Sequence, residues 1–206
     1  MAKLYPNIKP YKKGYLTVSD NHKLYYELYG NPNGIPVIFL HGGPGAGFGK
    51  KHHRYFNPKK YNIILFDQRG AGKSRPFASL KANTTQKLVQ DVRIIQKRFN
   101  IKKAILFGGS WGSTLALVYA IKYPKSVIGM MLRGIYLARQ EDDDYFLNDS
   151  SLKPYAWERL VSIVPTKWRK NLLSYYYKQI NSKNKKTRFK FSYEWSYYET
   201  SISKLN

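Results

Sequence analysis

The stretch that most constrains this chain runs from Ile105 to Leu117, Ile-Leu-Phe-Gly-Gly-Ser-Trp-Gly-Ser-Thr-Leu-Ala-Leu, an apolar run that turns at a serine and resumes with helical spacing. Gly108 and Gly112 flank Ser110 at two residues on either side, where a tight strand-to-helix turn leaves no room for a side chain. Such a turn pushes the Ser110 hydroxyl out alone. The helix that follows aims backbone N–H groups and the positive end of its dipole at any anion formed beside it. Lys103 to Phe107 reads as a buried strand, and Ser113 to Tyr123 as a helix with Leu115, Leu117, Val118 and Ile121 along one face.

The neighbouring segments supply the rest of an α/β pattern. Gly14 to Asp20 and Lys23 to Gly30 read as a hairpin joined at Asp20-Asn21-His22. Pro36 to Leu40 is an unbroken apolar run, expected of a strand covered on both faces, and it empties into His41-Gly-Gly-Pro-Gly-Ala-Gly47. A phosphate cradle is excluded by spacing, because a P-loop ending at Gly72-Lys73-Ser74 needs glycine where Asp67 stands. The better reading is a loop whose amide near Gly43 joins that of Trp111 in holding an oxyanion. Asn62 to Phe66 is a further strand, and Asp67 and Arg69 behind it are expected to brace loops through charge-assisted hydrogen bonds. Thr84 or Thr85 caps a helix through Phe99, and Ser126 to Arg133 forms another strand. This succession predicts a doubly wound, mostly parallel sheet over residues 1–139. The chain then changes texture, with acidic Gln140 to Asp144 and helices rich in Trp, Tyr and Leu from Tyr155 to Ile180, so residues 140–206 read as the start of a helical cap.

Composition narrows the chemistry. The absence of cysteine excludes disulfides, thiolate zinc sites and thiol catalysis, and fits a reducing compartment. No apolar stretch reaches the length of a membrane span, and Met1 to Gly14 lacks a signal-peptide core, so a soluble cytoplasmic protein is expected. The formal net charge of +24 is spread along the chain, which reads as a coding bias on an ordinary fold rather than as a nucleic-acid or membrane site. Only Lys183, Lys185, Lys186, Arg188 and Lys190 are dense, as expected of a solvated helix end or loop. Glu141, Asp142, Asp143 and Asp144 are read as solvated residues at a helix start, with Asp149 also at the start of the cap, and adjacent His52 and His53 as exposed loop residues, so no metal or other cofactor is expected.

Together the motifs resemble those of the proline iminopeptidases, serine peptidases of the α/β-hydrolase fold. They are His41-Gly-Gly-Pro-Gly45, Asp67-Gln-Arg-Gly70 followed by Gly72 and Ser74, Gly108-Gly-Ser-Trp-Gly-Ser113, Arg133-Gly-Ile-Tyr136, Trp157-Glu-Arg159 and Trp195-Ser-Tyr-Tyr-Glu199. The resemblance covers essentially the whole chain and implies removal of proline from peptide N-termini. It implies Ser110 as nucleophile, Gly43 and Trp111 as the oxyanion hole, Glu199 as partner of the substrate α-amine, and Tyr136 and Phe146 as aromatic walls of the proline pocket. A flat aromatic slot suits a pyrrolidine ring, and a buried carboxylate selects a charged amine.

One departure stands out. The fold orders its triad Ser, Asp, His, whereas His22, His41, His52 and His53 all precede Ser110. The chain is therefore expected to stop inside the cap, without the last strands of the sheet and the remaining triad members, and to be inactive alone. An uncovered sheet edge and poor solubility follow from that expectation. The alternatives are a non-catalytic remnant or binding protein that holds peptide N-termini or a partner subunit, and a basic nucleic-acid binder.

Overall fold

A computed structural model of the chain describes residues 3–148 and 154–203. The chain divides into two compact units between Leu137 and Ala138.

In the first unit, β1 (Lys12–Thr17) and β2 (Lys23–Gly30) form the hairpin, followed by β3 (Ile35–Leu40), β4 (Tyr61–Phe66), α1 (Thr85–Arg98), β5 (Ala104–Ser110), α2 (Trp111–Lys122) and β6 (Val127–Ile135). The hairpin turns at Asp20 and Asn21, both at φ 62°, a conformation that short polar side chains tolerate. The sheet runs β1-β2-β4-β3-β5-β6, antiparallel at β1/β2 and β2/β4 and parallel at the other three pairings. Strand alternation divides the apolar runs between two faces. Ile38, Leu40, Ile64, Phe66 and Leu106 pack against Leu88, Val92 and Ile95 of α1 and Leu115, Ala116 and Tyr119 of α2. Val37, Phe39, Ile63 and Leu65 pack on the other face with Tyr29 and Phe56. Each fully buried aliphatic contributes about 1.5–3 kcal/mol over its exposed form.

The buried side of α2 differs from the expected one, since Ile121 is 80% exposed while Gly112, Leu115, Ala116 and Tyr119 are buried. Gly112 lets the start of the helix approach β3 closely, and Leu115, Ala116 and Tyr119 continue that inward face while Ile121 turns to water. Thr84 is the N-cap of α1, its side chain accepting from the Lys87 N–H. Strand β6 lies outermost, with Ile128, Met130, Met131 and Ile135 exposed.

Arg69 ties three segments of this unit together. Its fully buried guanidinium donates to both Asp91 carboxylate oxygens at 2.7 and 2.9 Å, to Asp20 at 3.1 Å, to Ser19 Oγ at 2.9 Å and to the Ala82 carbonyl at 3.2 Å. The bonded Asp91 carboxylate pushes the Arg69 pKa up; burial raises Asp91 while Arg69 opposes it, and the bidentate geometry keeps the pair ionised. Arg69→Leu leaves Asp91 buried without its partner and is expected to cost about 3–5 kcal/mol in a urea titration. The double variant with Asp91→Leu should recover part of that loss, and an unchanged midpoint for Arg69→Leu would contradict the bracing role.

The second unit contains α3 (Gln140–Asn148), α4 (Pro154–Ser162), a 3-10 turn (Thr166–Asn171), α5 (Leu172–Ile180) and α6 (Lys185–Ser203). Its core is Leu147, Leu160, Val161, Val164, Leu172, Tyr176, Phe191 and Tyr198. Arg159 donates to both oxygens of Glu194 at 2.5 and 3.0 Å and lies over the Tyr197 ring at 4.2 Å. Glu141, Asp142 and Asp143 occupy the first turn of α3, where the helix dipole favours anions. Asp149 lies outside the described residues. Among the described residues, no group of three or more His, Cys, Asp or Glu is placed to hold a metal ion, and no helix is long and apolar enough to cross a membrane.

Candidate functional site

Ser110 joins β5 to α2 at φ 53°, ψ −127°, and its hydroxyl makes no capping hydrogen bond to the helix it starts. A non-glycine residue here is strained, and its surroundings must hold it in place. The surroundings are tight. A Cβ on Gly108 would stand 2.3 Å from the Gly112 carbonyl oxygen, and one on Gly112 would stand 2.0 Å from that of Leu40. The Ser113 hydroxyl donates to the Ser110 carbonyl at 2.6 Å and accepts from the Tyr136 N–H at 3.1 Å, while Thr114 Oγ1 donates to the Tyr136 carbonyl at 2.6 Å. The half-buried Tyr136 is thereby tied through its backbone to the elbow.

The glycine loop after β3 runs beside the serine. A Cβ on Gly42 would lie 3.2 Å from Ser110 Cβ and 3.8 Å from its Oγ. Gly43 has φ 112°, and a Cβ there would meet the Gly45 and Ala46 amide nitrogens at 2.6 and 2.8 Å, so only glycine fits. Buried His41 heads this loop. Its Nε2 accepts from the Gln68 N–H at 2.9 Å, which places the ring proton on Nδ1, and Nδ1 donates to the Gly42 carbonyl at 2.9 Å. With both nitrogens engaged and its pKa lowered by burial, His41 is a structural residue.

Gln68 is the residue that sequence reasoning missed. Its Nε2 donates to the His41 carbonyl at 2.8 Å and its Oε1 accepts from Trp111 Nε1 at 3.1 Å, so one side chain links the loop to the elbow. The only signal was its place within Asp67-Gln-Arg. Asp67 accepts from the Phe48 and Lys73 amides, both at 2.8 Å, and its carbonyl accepts from Ser74 Oγ at 2.7 Å.

His52 and His53 are not exposed loop residues. His52 packs on Phe39 at 4.4 Å between ring centres, its Nδ1 accepts from the Gly49 N–H at 3.0 Å, and desolvation holds its pKa at about 4. His53 is buried and stacked on Tyr29 at 4.4 Å, with its pKa also lowered by burial. The aromatic residues of the sheet's second face draw both rings inward. His22 Nε2 bonds the Lys81 carbonyl at 2.9 Å. Among the described residues, none of the hydrogen bonds of these four rings reaches Ser110.

In the second unit, Phe146 packs on Trp195 and Tyr198 at 6.1 and 5.4 Å, and the Tyr198 hydroxyl donates to the Phe146 carbonyl. Glu199 is exposed as a residue rather than buried as expected. Its carboxyl is nonetheless desolvated enough to be pushed above the usual value, against a hydrogen bond from Trp195. Helix α6 causes both features, because it buries Trp195 and Tyr198 partly or fully in the unit's core while the next residue turns outward. Phe146 and Glu199 thus share Trp195 as a neighbour.

The sequence model of the alpha/beta hydrolase fold matches residues 35–203. A probable proline iminopeptidase of Leptolyngbya boryana is 46% identical over 207 aligned positions, covering 100% of this chain and 64% of its own length. The proline iminopeptidase of Xylella fastidiosa is 44% identical with 100% and 66% covered, and that of Arabidopsis thaliana is 44% identical with 95% and 52% covered. The chain thus spans about two thirds or less of the length of these relatives. Among solved structures, the proline iminopeptidase of Mycobacterium smegmatis superposes with a TM-score of 0.57 at 17% identity, covering 95% of this chain and 71% of that one. VinJ gives 0.60 at 19% identity, covering 96% and 71%. The structures speak to the fold and the sequences to kinship along the whole chain: this protein belongs to the alpha/beta hydrolase fold family and is similar throughout its sequence to proline iminopeptidases.

Proposed function

We propose that the chain carries the nucleophile and the proline-recognition residues of a cytoplasmic prolyl aminopeptidase that releases N-terminal proline from peptides through an acyl-enzyme on Ser110. The observation that carries this reading is the strained, uncapped Ser110 with the Gly42–Gly43 backbone alongside it. Attack of Oγ on the prolyl carbonyl places negative charge on the carbonyl oxygen, where the Gly43 and Trp111 amides and the start of α2 stabilise it. Collapse expels the peptide amine, which takes up a proton, and water then hydrolyses the prolyl ester. The base that accepts the serine proton is assigned to a histidine in the part of the relatives' length that this chain does not span, since His41 is engaged at both nitrogens.

In the same proposal the resemblance to proline iminopeptidases assigns Tyr136 and Phe146 the role of proline-pocket walls and Glu199 that of partner to the prolyl ammonium. A cation beside Glu199 would draw its raised pKa back down and favour the carboxylate. The test uses the chain joined to the C-terminal part of the Leptolyngbya boryana relative. Glu199→Gln is expected to raise KM for prolyl-4-nitroanilide roughly 10- to 100-fold, the worth of one hydrogen bond to a charged group. An unchanged KM would remove Glu199 from substrate recognition.

A further inference from the structure

Phe77 and Leu80 are 68% and 84% exposed, two large apolar side chains turned to water on one loop of a strongly charged protein. The loop is firmly held. Ala78 N–H donates to the Gly70 carbonyl at 2.8 Å, and Asn83 Nδ2 donates to the carbonyls of Arg69 and Ser79 at 3.0 and 3.2 Å. Ala78 and Ala82 are kept at φ 54° and 48°, left-handed values that alanine adopts only where its surroundings impose them. The held loop thus presents two large apolar groups to solvent, three positions apart.

Phe77 and Leu80 line a cavity of about 420 Å³ together with Pro44, Gly45, Leu88 and Trp111, among others. Pro44 and Gly45 follow Gly43 directly and Trp111 follows Ser110, so the cavity adjoins the candidate oxyanion donors. Sheet order fixes its side. The loops after β3 and β4 lie on one side of β5, and Tyr136, which follows β6, lies on the other.

We propose that this cavity seats the residue immediately after the scissile bond, the first residue of the leaving peptide, and favours an apolar side chain there. The inference rests on the prolyl aminopeptidase reading. With the carbonyl oxygen directed at the Gly43 and Trp111 amides and the proline ring on the Tyr136 side, the leaving peptide is left the β3–β4 side. The cavity's size suits one side chain and its backbone. Arg69 also lines it, but its guanidinium is committed to Asp91 and Asp20 and does not attract an acidic residue. The net charge of +24 disfavours a basic one.

The test is titration of the 206-residue chain with the leaving products Leu-Ala-amide and Gly-Ala-amide, following the Trp111 indole N–H resonance, assigned by its loss in Trp111→Phe. Trp111 lines the cavity and its indole N–H is bonded to Gln68, so an occupant should move its signal. The leucyl peptide is expected to bind on the order of tenfold more tightly than the glycyl peptide, the worth of one buried aliphatic side chain. Phe77→Ser and Leu80→Ser, exposed positions whose substitution leaves the fold intact, should each weaken the leucyl peptide several-fold and leave the glycyl peptide unchanged. Equal binding of the two peptides, no shift, or a leucyl preference that survives both variants overturns the proposal. Prolyl-4-nitroanilide has no amino acid after the scissile bond. Hydrolysis of it by the extended chain with a silent cavity would sink this inference alone, and leucyl-selective binding without hydrolysis would sink the activity and leave the cavity's preference standing.

Discussion

Gly112→Ala is expected to abolish the cooperative urea unfolding of the first unit, because the new methyl group would stand 2.0 Å from the Leu40 carbonyl oxygen and 2.8 Å from its carbon. Those atoms belong to β3, which is paired to β4 on one side and β5 on the other, so the obstacle cannot swing aside as a side chain would. Relief requires α2 to move off the sheet, and with it Leu115, Ala116 and Tyr119, all fully buried. Ordinary overpacking costs about 1–3 kcal/mol, and a backbone clash this close exceeds that range in a fold whose whole stability is about 5–15 kcal/mol. Gly129→Ala is the matched control, since a Cβ there meets nothing within 4 Å. A Gly112→Ala protein that unfolds at the wild-type midpoint would contradict the packing of the elbow.

The elements legible in the sequence are those written in local pattern. The apolar runs ending at Leu40, Phe66 and Phe107 became β3, β4 and β5, and the glycines around Ser110 marked the turn because their spacing states a local steric need. Contacts between distant segments were not legible. Gln68 and Trp111 are 43 positions apart, and Arg159 and Glu194 are 35 apart. The face of α2 was misjudged because apolar bulk was weighed above closeness of approach. Helix α6 lies beyond the helices read from Tyr155 to Ile180, in a segment whose local pattern is ambiguous. Phe189, Phe191, Tyr193, Trp195 and Tyr197 alternate as a strand would, yet the segment is helical and turns Phe191, Trp195 and Tyr198 toward the core while Phe189 and Tyr193 face water. Length decides there, because 19 residues without a turn signal exceed a strand's usual run. His52 and His53 were misplaced for a related reason: the aromatic residues that bury them come from β2, β3 and the segment around Phe56, and no local pattern names them.

The proposal for Ser110 makes the largest kinetic prediction. A serine hydrolase deprived of its nucleophile keeps only what the oxyanion donors and substrate binding supply, a loss on the order of 10⁶ in kcat. Ser110 is exposed, and the elbow is held by Gly108, Gly112 and Ser113, so Ser110→Ala should fold as the parent does. The decisive measurement is release of 4-nitroaniline from prolyl-4-nitroanilide by the chain joined to the C-terminal part of the Leptolyngbya boryana relative, beside its Ser110→Ala variant. The 206 residues alone are expected to show no turnover above that variant, and the joined protein to turn over and lose about 10⁶-fold in kcat on Ser110→Ala, with KM little changed. Turnover that survives Ser110→Ala in the joined protein would contradict the assignment of Ser110 as nucleophile.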